Sequence, residues 1–276
     1  MSPRRLFRAR RNRRSPAAGA LALACLALSI SAASAGPGWA AAGDPLQPDL
    51  VTRPHSQLYV QANQLRLSNT VADKGLGPLE IYPEPTAGND CDGDGDPSND
   101  RYAFQRVFMD SSNSSSPGYF VREQDTASTS REVGCMVFHP THHHWHFEDF
   151  ARYNLKREST GALARQSTKV GFCLTDGERP FPSLPGSPRA GYYEACQTTS
   201  TEGISIGWAD TYGAYLDGQG INIGGLPAAN YCLISRVDPS DRLAETLESN
   251  NARRTRIYLD PARGTVKRLS GACQLP

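Results

Sequence analysis

Apolar and polar residues alternate in short runs from residue 57 onward, and turn-forming residues separate the runs. Leu65-Arg66-Leu67 and Cys232-Leu233-Ile234-Ser235 are representative. A period of two places one residue set on one face of a strand, so each run reads as a half-buried strand. The segments with this character are 57–61, 64–68, 79–82, 103–109, 119–122, 142–155, 169–174, 231–237 and 254–259. No window keeps an apolar 3.6-residue repeat for three turns, which leaves room for few and short helices. The pattern predicts a mainly β fold, a β-sandwich-like domain with long loops. Polar loops are expected at 87–100 and 110–117, and a proline-rich one at 179–189. Long ordered loops on a β scaffold are where sites usually sit.

The N-terminus breaks this pattern. Seven arginines fall in the first fourteen positions with no acidic residue among them, an apolar stretch runs over 17–33, and Ala33-Ser34-Ala35 precedes Gly36. A basic n-region, an apolar h-region and small residues at the end make residues 1–35 an export signal, so the protein is expected to be secreted. Arg4-Arg5 and Arg13-Arg14 are incomplete twin-arginine signals and leave the export route open; a signal anchor is the alternative, because the apolar stretch is nearly long enough to span a bilayer. No later segment is apolar enough to cross a membrane. Residues 36–48, rich in Gly, Pro and Ala, read as a flexible leader, and residues 49–276 as the functional domain.

Once the seven signal arginines are set aside, 22 of the 29 basic residues face 28 acidic ones. That balance, without a basic run, argues against a nucleic-acid partner and suits cationic ones. Six of the seven cysteines lie beyond the signal, at 91, 135, 173, 196, 232 and 273. An even number in an exported chain implies disulfides, but the sequence does not choose among their connectivities.

Five of the six histidines fall within His139-Pro140-Thr141-His142-His143-His144-Trp145-His146. On an extended strand His142, His144 and His146 share one face, while His143, Trp145 and Phe147 share the other. Three convergent imidazoles suit copper, zinc, nickel or iron and leave coordination positions open for water or substrate. The alternative is a solvated histidine tract, against which the interleaved aromatic residues argue. His139 and His143 read as supporting or surface residues.

His139-x-x-His142-x-His144-x-His146, followed by Asp149-Phe150 and Tyr153-x-Leu155, resembles the copper-binding segment of the lysyl oxidase family. Lys169-Val170-Gly171-Phe172-Cys173-Leu174-Thr175-Asp176 resembles the segment whose lysine becomes half of that family's lysine tyrosylquinone cofactor. Gly203-Ile204-Ser205 with Asp210-Thr211-Tyr212 resembles the segment carrying the other half. The resemblance runs over about residues 49–259. It implies a Cu2+ ion on His142, His144 and His146, a quinone formed from Lys169 and Tyr212, and O2 as electron acceptor. The implied reaction converts primary amines, peptidyl lysine among them, to aldehydes with release of ammonia and hydrogen peroxide. Asp210, two positions from Tyr212, is the favoured catalytic base, with Asp149 as the other choice.

Departures accompany the likeness. Thr141 and Trp208 stand where the family has cysteines, and Gly218 stands where the partner of the second would be. With the family's expected partners absent at Thr141 and Arg179, the resemblance implies a rearranged bridge Cys173–Cys196, and with it Cys91–Cys135 and Cys232–Cys273. Asp90-Cys91-Asp92-Gly93-Asp94-Gly95-Asp96 resembles half a calcium loop, but Arg101 replaces the closing Glu of an EF-hand. Asp49, Leu50, Glu245, Asn250 and Asn251 resemble a calcium site of some lysyl oxidases, with Leu247 in place of an acidic residue. Two other classes stay open, a non-catalytic adhesion module and a zinc hydrolase built on the same histidines. Copper with a quinone stain, no metal, or zinc without stain would separate the three.

Overall fold

Period-two alternation resolves into seventeen strands in a computed structural model that describes residues 43–85, 88–111, 118–140, 142–167, 170–194, 196 and 201–276. The export signal, most of the leader, Thr141 and Lys169 lie outside the described residues. The strands begin with β1 (Pro45–Leu46), β2 (Leu50–Thr52), β3 (Leu58–Gln61), β4 (Gln64–Leu67), β5 (Asn69–Asp73) and β6 (Leu79–Pro83). Then come the long β7 (Asp100–Met109), β8 (Ser128–His139) and β9 (His144–Arg157), and the short β10 (Leu163–Gln166), β11 (Val170–Phe172), β12 (Glu202–Ile204), β13 (Ala209–Tyr212) and β14 (Gly220–Asn222). β15 (Ala229–Val237), β16 (Ala252–Asp260) and β17 (Thr265–Arg268) close the chain. The single helical element among the described residues is a 3-10 turn at Glu248–Asn250, in keeping with the mainly β expectation.

The large sheet runs β12-β6-β7-β8-β9-β15-β16-β17, with β1 added on β7 and both β10 and β11 on β9. Two three-stranded sheets, β13-β5-β2 and β14-β4-β3, lie against it: β2 touches β15 and β16, β3 touches β17, and β14 touches β9 and β10. The core fills the space between these layers. Tyr153, Leu155, Tyr231, Leu233, Ile257 and Leu259 of the large sheet meet Leu50, Leu65, Leu67, Val71 and Ile221 of the small ones, all essentially without solvent exposure. Each such side chain contributes about 1.5–3 kcal/mol by leaving water.

Two differences from the sequence pattern have physical causes. Residues 119–122 form no strand; buried Asp125 holds them in a turn by accepting from the Val121 amide at 2.6 Å and from the Ser111 amide and hydroxyl. β8 is not legible as a strand because its first half, Ser128-Thr129-Ser130-Arg131-Glu132, is exposed and polar throughout. It is held by the β7 ladder, with a bulge at Ala103/Phe104 opposite Gly134, whose φ of 142° a side chain would resist.

Three disulfides tie irregular segments to the large sheet: Cys91–Cys135 on β8, Cys173–Cys196 just after β11, and Cys232–Cys273 on β15. These are the pairs the resemblance implies. Among the described residues, no helix is long and apolar enough to cross a membrane.

Candidate metal centre and active site

The β8–β9 hairpin builds the histidine cluster. His139 pairs with His144 at its end, and the amides of His142 and His143 both donate to the His139 carbonyl, at 3.1 and 2.8 Å. His143 takes the left-handed conformation, φ 58°, that so tight a turn requires. This corrects one expectation: His142 belongs to the turn and not to the strand, so strand alternation aligns only His144 and His146. The turn folds His142 back over them and stacks its ring on His139, with centroids 4.0 Å apart.

The result is a convergent donor set. His142 Nδ1 lies 3.4 Å from His146 Nε2, which lies 3.1 Å from His144 Nε2, and one ligand atom of each falls within 4.8 Å of the others. From His144 onward alternation holds: Trp145 and Phe147 are buried on the opposite face, with Trp145 edge-on to Phe138. Burial first, and the other imidazoles second, lower the His146 pKa to about 3 and push His144 below its usual value. Burial, then His142, lowers His139 as well. Neutral imidazoles with lone pairs free for a metal are what such shifts supply. The donor set therefore fits a copper-type ion.

The histidines line a cavity of about 630 Å³ together with Tyr212, Glu148, Cys196, Tyr215 and Asp217. Tyr212 is carried there by β13, whose partner across the ladder is Asn69 of β5. Its ring sits 3.9 Å from that of Phe172, and its hydroxyl accepts from the Cys173 amide at 2.6 Å and donates to the Cys173 carbonyl at 3.1 Å. Burial, with Asp210 and Glu202 adding negative charge, raises the phenol pKa far above its usual value.

The two expected bases fare differently. Asp210 is buried on β13 and faces a neighbouring cavity with Arg53, Thr175 and Glu178, not the histidines. Burial above all raises its pKa to about 8, and its Oδ2 has no hydrogen-bond partner. Asp149 is turned away at φ 55°, accepting from Arg152 at 2.8 Å and from the Ser240 hydroxyl at 2.7 Å. The carboxylate that enters the histidine cavity is Glu148. It is two positions past His146 on the same strand face, and its carboxylate lies against Gly171, where a Cβ would overlap Oε1. Sequence reasoning passed over it although the alternation that aligned His144 with His146 continues to Glu148. Lys169 lies outside the described residues, immediately before β11, which pairs with β9 through Val170↔Ala151 and Phe172↔Phe147.

Both acidic clusters also assemble. Asp90, Asp92, Asp94 and Asp100 bring carboxylate oxygens within 4.8 Å of one another. Some 200 positions apart in sequence, Asp49 accepts from Asn250 Nδ2 at 2.6 Å, and Glu245 accepts from the Leu50 amide and from Asn251 Nδ2. The buried Oδ1 atoms of Asn250 and Asn251 have no partner, as an oxygen site for a hard cation would leave them.

Comparison with known proteins agrees with this geometry. The family model described as Lysyl oxidase matches residues 121–269, a span holding the whole histidine hairpin, Lys169 and Tyr212. Protein-lysine 6-oxidase of Sus scrofa is 35% identical over 142 residues, covering 50% of this chain and 53% of the relative. Protein-lysine 6-oxidase of Homo sapiens is 34% identical over 142 residues, covering 50% and 32%. Lysyl oxidase homolog 1 of Homo sapiens is 33% identical over 141 residues, covering 50% and 23%. The matched region thus spans between about a quarter and a half of these relatives. A match over more than half of its length, carrying the histidines and the tyrosine in order, makes this chain a member of the lysyl oxidase family.

Proposed function

We propose that residues 49–276 form the catalytic domain of a secreted, copper-dependent amine oxidase that converts primary amines, above all lysine ε-amines of proteins, to aldehydes, releasing ammonia and hydrogen peroxide. The observation that carries this reading is that the imidazoles of His142, His144 and His146 converge in the same cavity that Tyr212 lines. Bound copper would supply redox chemistry with O2, and a quinone made from Lys169 and Tyr212 would supply the carbonyl electron sink that no unmodified side chain offers.

The chain's own groups divide the remaining work. His144 and His146, held neutral by burial and by the neighbouring imidazoles, offer lone pairs to the metal without first losing protons, and His142 completes the donor set. The Cys173 backbone fixes the Tyr212 oxygen, and Phe172 fixes its ring. Glu148 projects into the cavity where a substrate amine would sit and is placed to take a proton from the carbon next to nitrogen. Asp210, protonated up to about pH 8, holds a proton beside Tyr212 rather than removing one from substrate. Glu148 and Asp217 put acidic groups at the cavity wall, which favours cationic amines. Calcium is the ion best matched to the oxygen sites around Asp49–Glu245 and Asp90–Asp100.

The test is direct. Mature protein loaded with copper should stain for a quinone, release peroxide on addition of a primary amine, and yield a cross-linked peptide joining the segments that contain Lys169 and Tyr212. Zinc bound without stain or peroxide would replace this reading with the hydrolase one.

A further inference from the structure

The Cys173–Cys196 bridge is placed against the histidines. Its sulfurs and a ring nitrogen of His144 fall within 4.8 Å of one another, just as His142, His144 and His146 do. Cys196 is half-buried and lines the histidine cavity, and the Cys173 backbone holds the Tyr212 hydroxyl. His144 is therefore common to two donor sets, one of three imidazoles and one of an imidazole with two sulfurs.

We propose that in the reduced chain Cys173, Cys196 and His144 form a second metal site, selective for a soft monovalent ion such as Cu(I), and that closing the bridge passes the ion to the three histidines through His144. A disulfide is a feeble ligand, whereas two thiolates are strong soft donors that favour Cu(I) over harder ions. The electron count closes in both directions. A dithiol reductant gives two electrons and two protons to the Cys173–Cys196 bond, the sulfur–sulfur bond breaks, and the reductant leaves as its own disulfide. Binding of the ion then displaces the two thiol protons. In reverse, a disulfide oxidant takes two electrons from the thiolates and leaves as two thiols with two solvent protons, while the copper keeps its oxidation state. The sulfur donors vanish as the bridge forms, and His142 and His146 complete the shell around the ion that His144 retains.

Cys91 and Cys135 form a comparable cluster with Asp100 but have no imidazole in it, so they provide an internal comparison. The experiment uses the full mature chain, metal-free, anaerobically reduced and loaded with Cu(I) from a chromophoric chelator. Cysteines are alkylated with the ion bound and mapped by mass spectrometry. With one equivalent of Cu(I), Cys173 and Cys196 should each label about tenfold more slowly than in the ion-free reduced chain, while the other four cysteines keep their ion-free rates, because metal-bound thiolate is withheld from the reagent. The same protection should persist in His142→Ala, with sulfur and nitrogen scatterers in its copper X-ray absorption spectrum, and Cys173 should lose it in Cys196→Ser. Labelling rates of Cys173 and Cys196 that the ion leaves unchanged, which an unfolded reduced chain would also give, overturn the proposal. So does protection of Cys173 that survives Cys196→Ser, or protection that requires His142.

Discussion

At the scale of single residues, the site is a matter of which side chains share a face. His144 and His146 are aligned by strand alternation and His142 by the turn, whereas His143, at φ 58°, is exposed and outside the donor cluster. His144→Ala should therefore abolish copper retention and amine-dependent peroxide release, while His143→Ala should keep both; loss of copper by His143→Ala alone, read by metal analysis, would reverse the facial assignment. Asp210 makes a different prediction, on stability. Its folded pKa is raised to about 8 by burial, above an unfolded value of about 4, so over that window the folded chain holds a proton the unfolded chain lacks. Its contribution is complete at low pH and is lost as pH rises through about 8, by up to about 1.4 kcal/mol per pH unit. Asp210→Asn should shrink the fall in Tm between about pH 5 and about pH 8.5, leaving the similar slope of Glu245, also raised to about 8 by burial. An unchanged pH dependence of Tm would show that Asp210 is ionised in the folded protein.

At the scale of elements, the β9–β11 pair sets the distance between the histidines and the segment that follows Lys169. Gly171 belongs to β11 because Glu148 of β9 occupies the place of its side chain. Gly171→Ala would push away the far end of a flexible side chain and not backbone, so Tm should change little while amine oxidation falls by about 10²-fold or more, the range expected for a misplaced general base. A large loss of Tm with normal activity would mean that Glu148 supports the sheet and not the reaction. What could be read from the sequence divides along the same line. His144, His146, Tyr212 and the long strands β7, β9, β15 and β16 show in alternation or motif because one of their faces is buried. β8 hides because its first half is polar and is defined only by its partner, β5 because all five of its residues are buried and no period survives, and Glu148 because an acidic residue beside Asp149 looks like surface until the pairing of β9 with β11 is known.

At the scale of the whole molecule, the fold has to bring residues distant in sequence to one cavity. Tyr212 arrives on a small sheet and the histidines on the large one, and the contact between these layers closes the site. On the proposed reading copper would need only the hairpin, but a quinone would need the assembled core, since Lys169 and Tyr212 are far apart in the chain and the segment after Lys169 is anchored to β9. Two substitutions separate these requirements. Lys169→Arg keeps the charge and most of the bulk but presents a guanidinium, which stays protonated and does not add to a quinone ring. Tyr212→Phe removes the hydroxyl that the Cys173 backbone holds, preserves the ring against Phe172, and costs about 0.5–1.5 kcal/mol for the lost hydrogen bonding. Both variants should fold, bind one copper ion at the histidines, and show neither quinone absorbance nor amine-dependent peroxide. Full peroxide release by either variant would remove lysine tyrosylquinone from the reaction and leave the copper-bearing hairpin to account for the chemistry by another route.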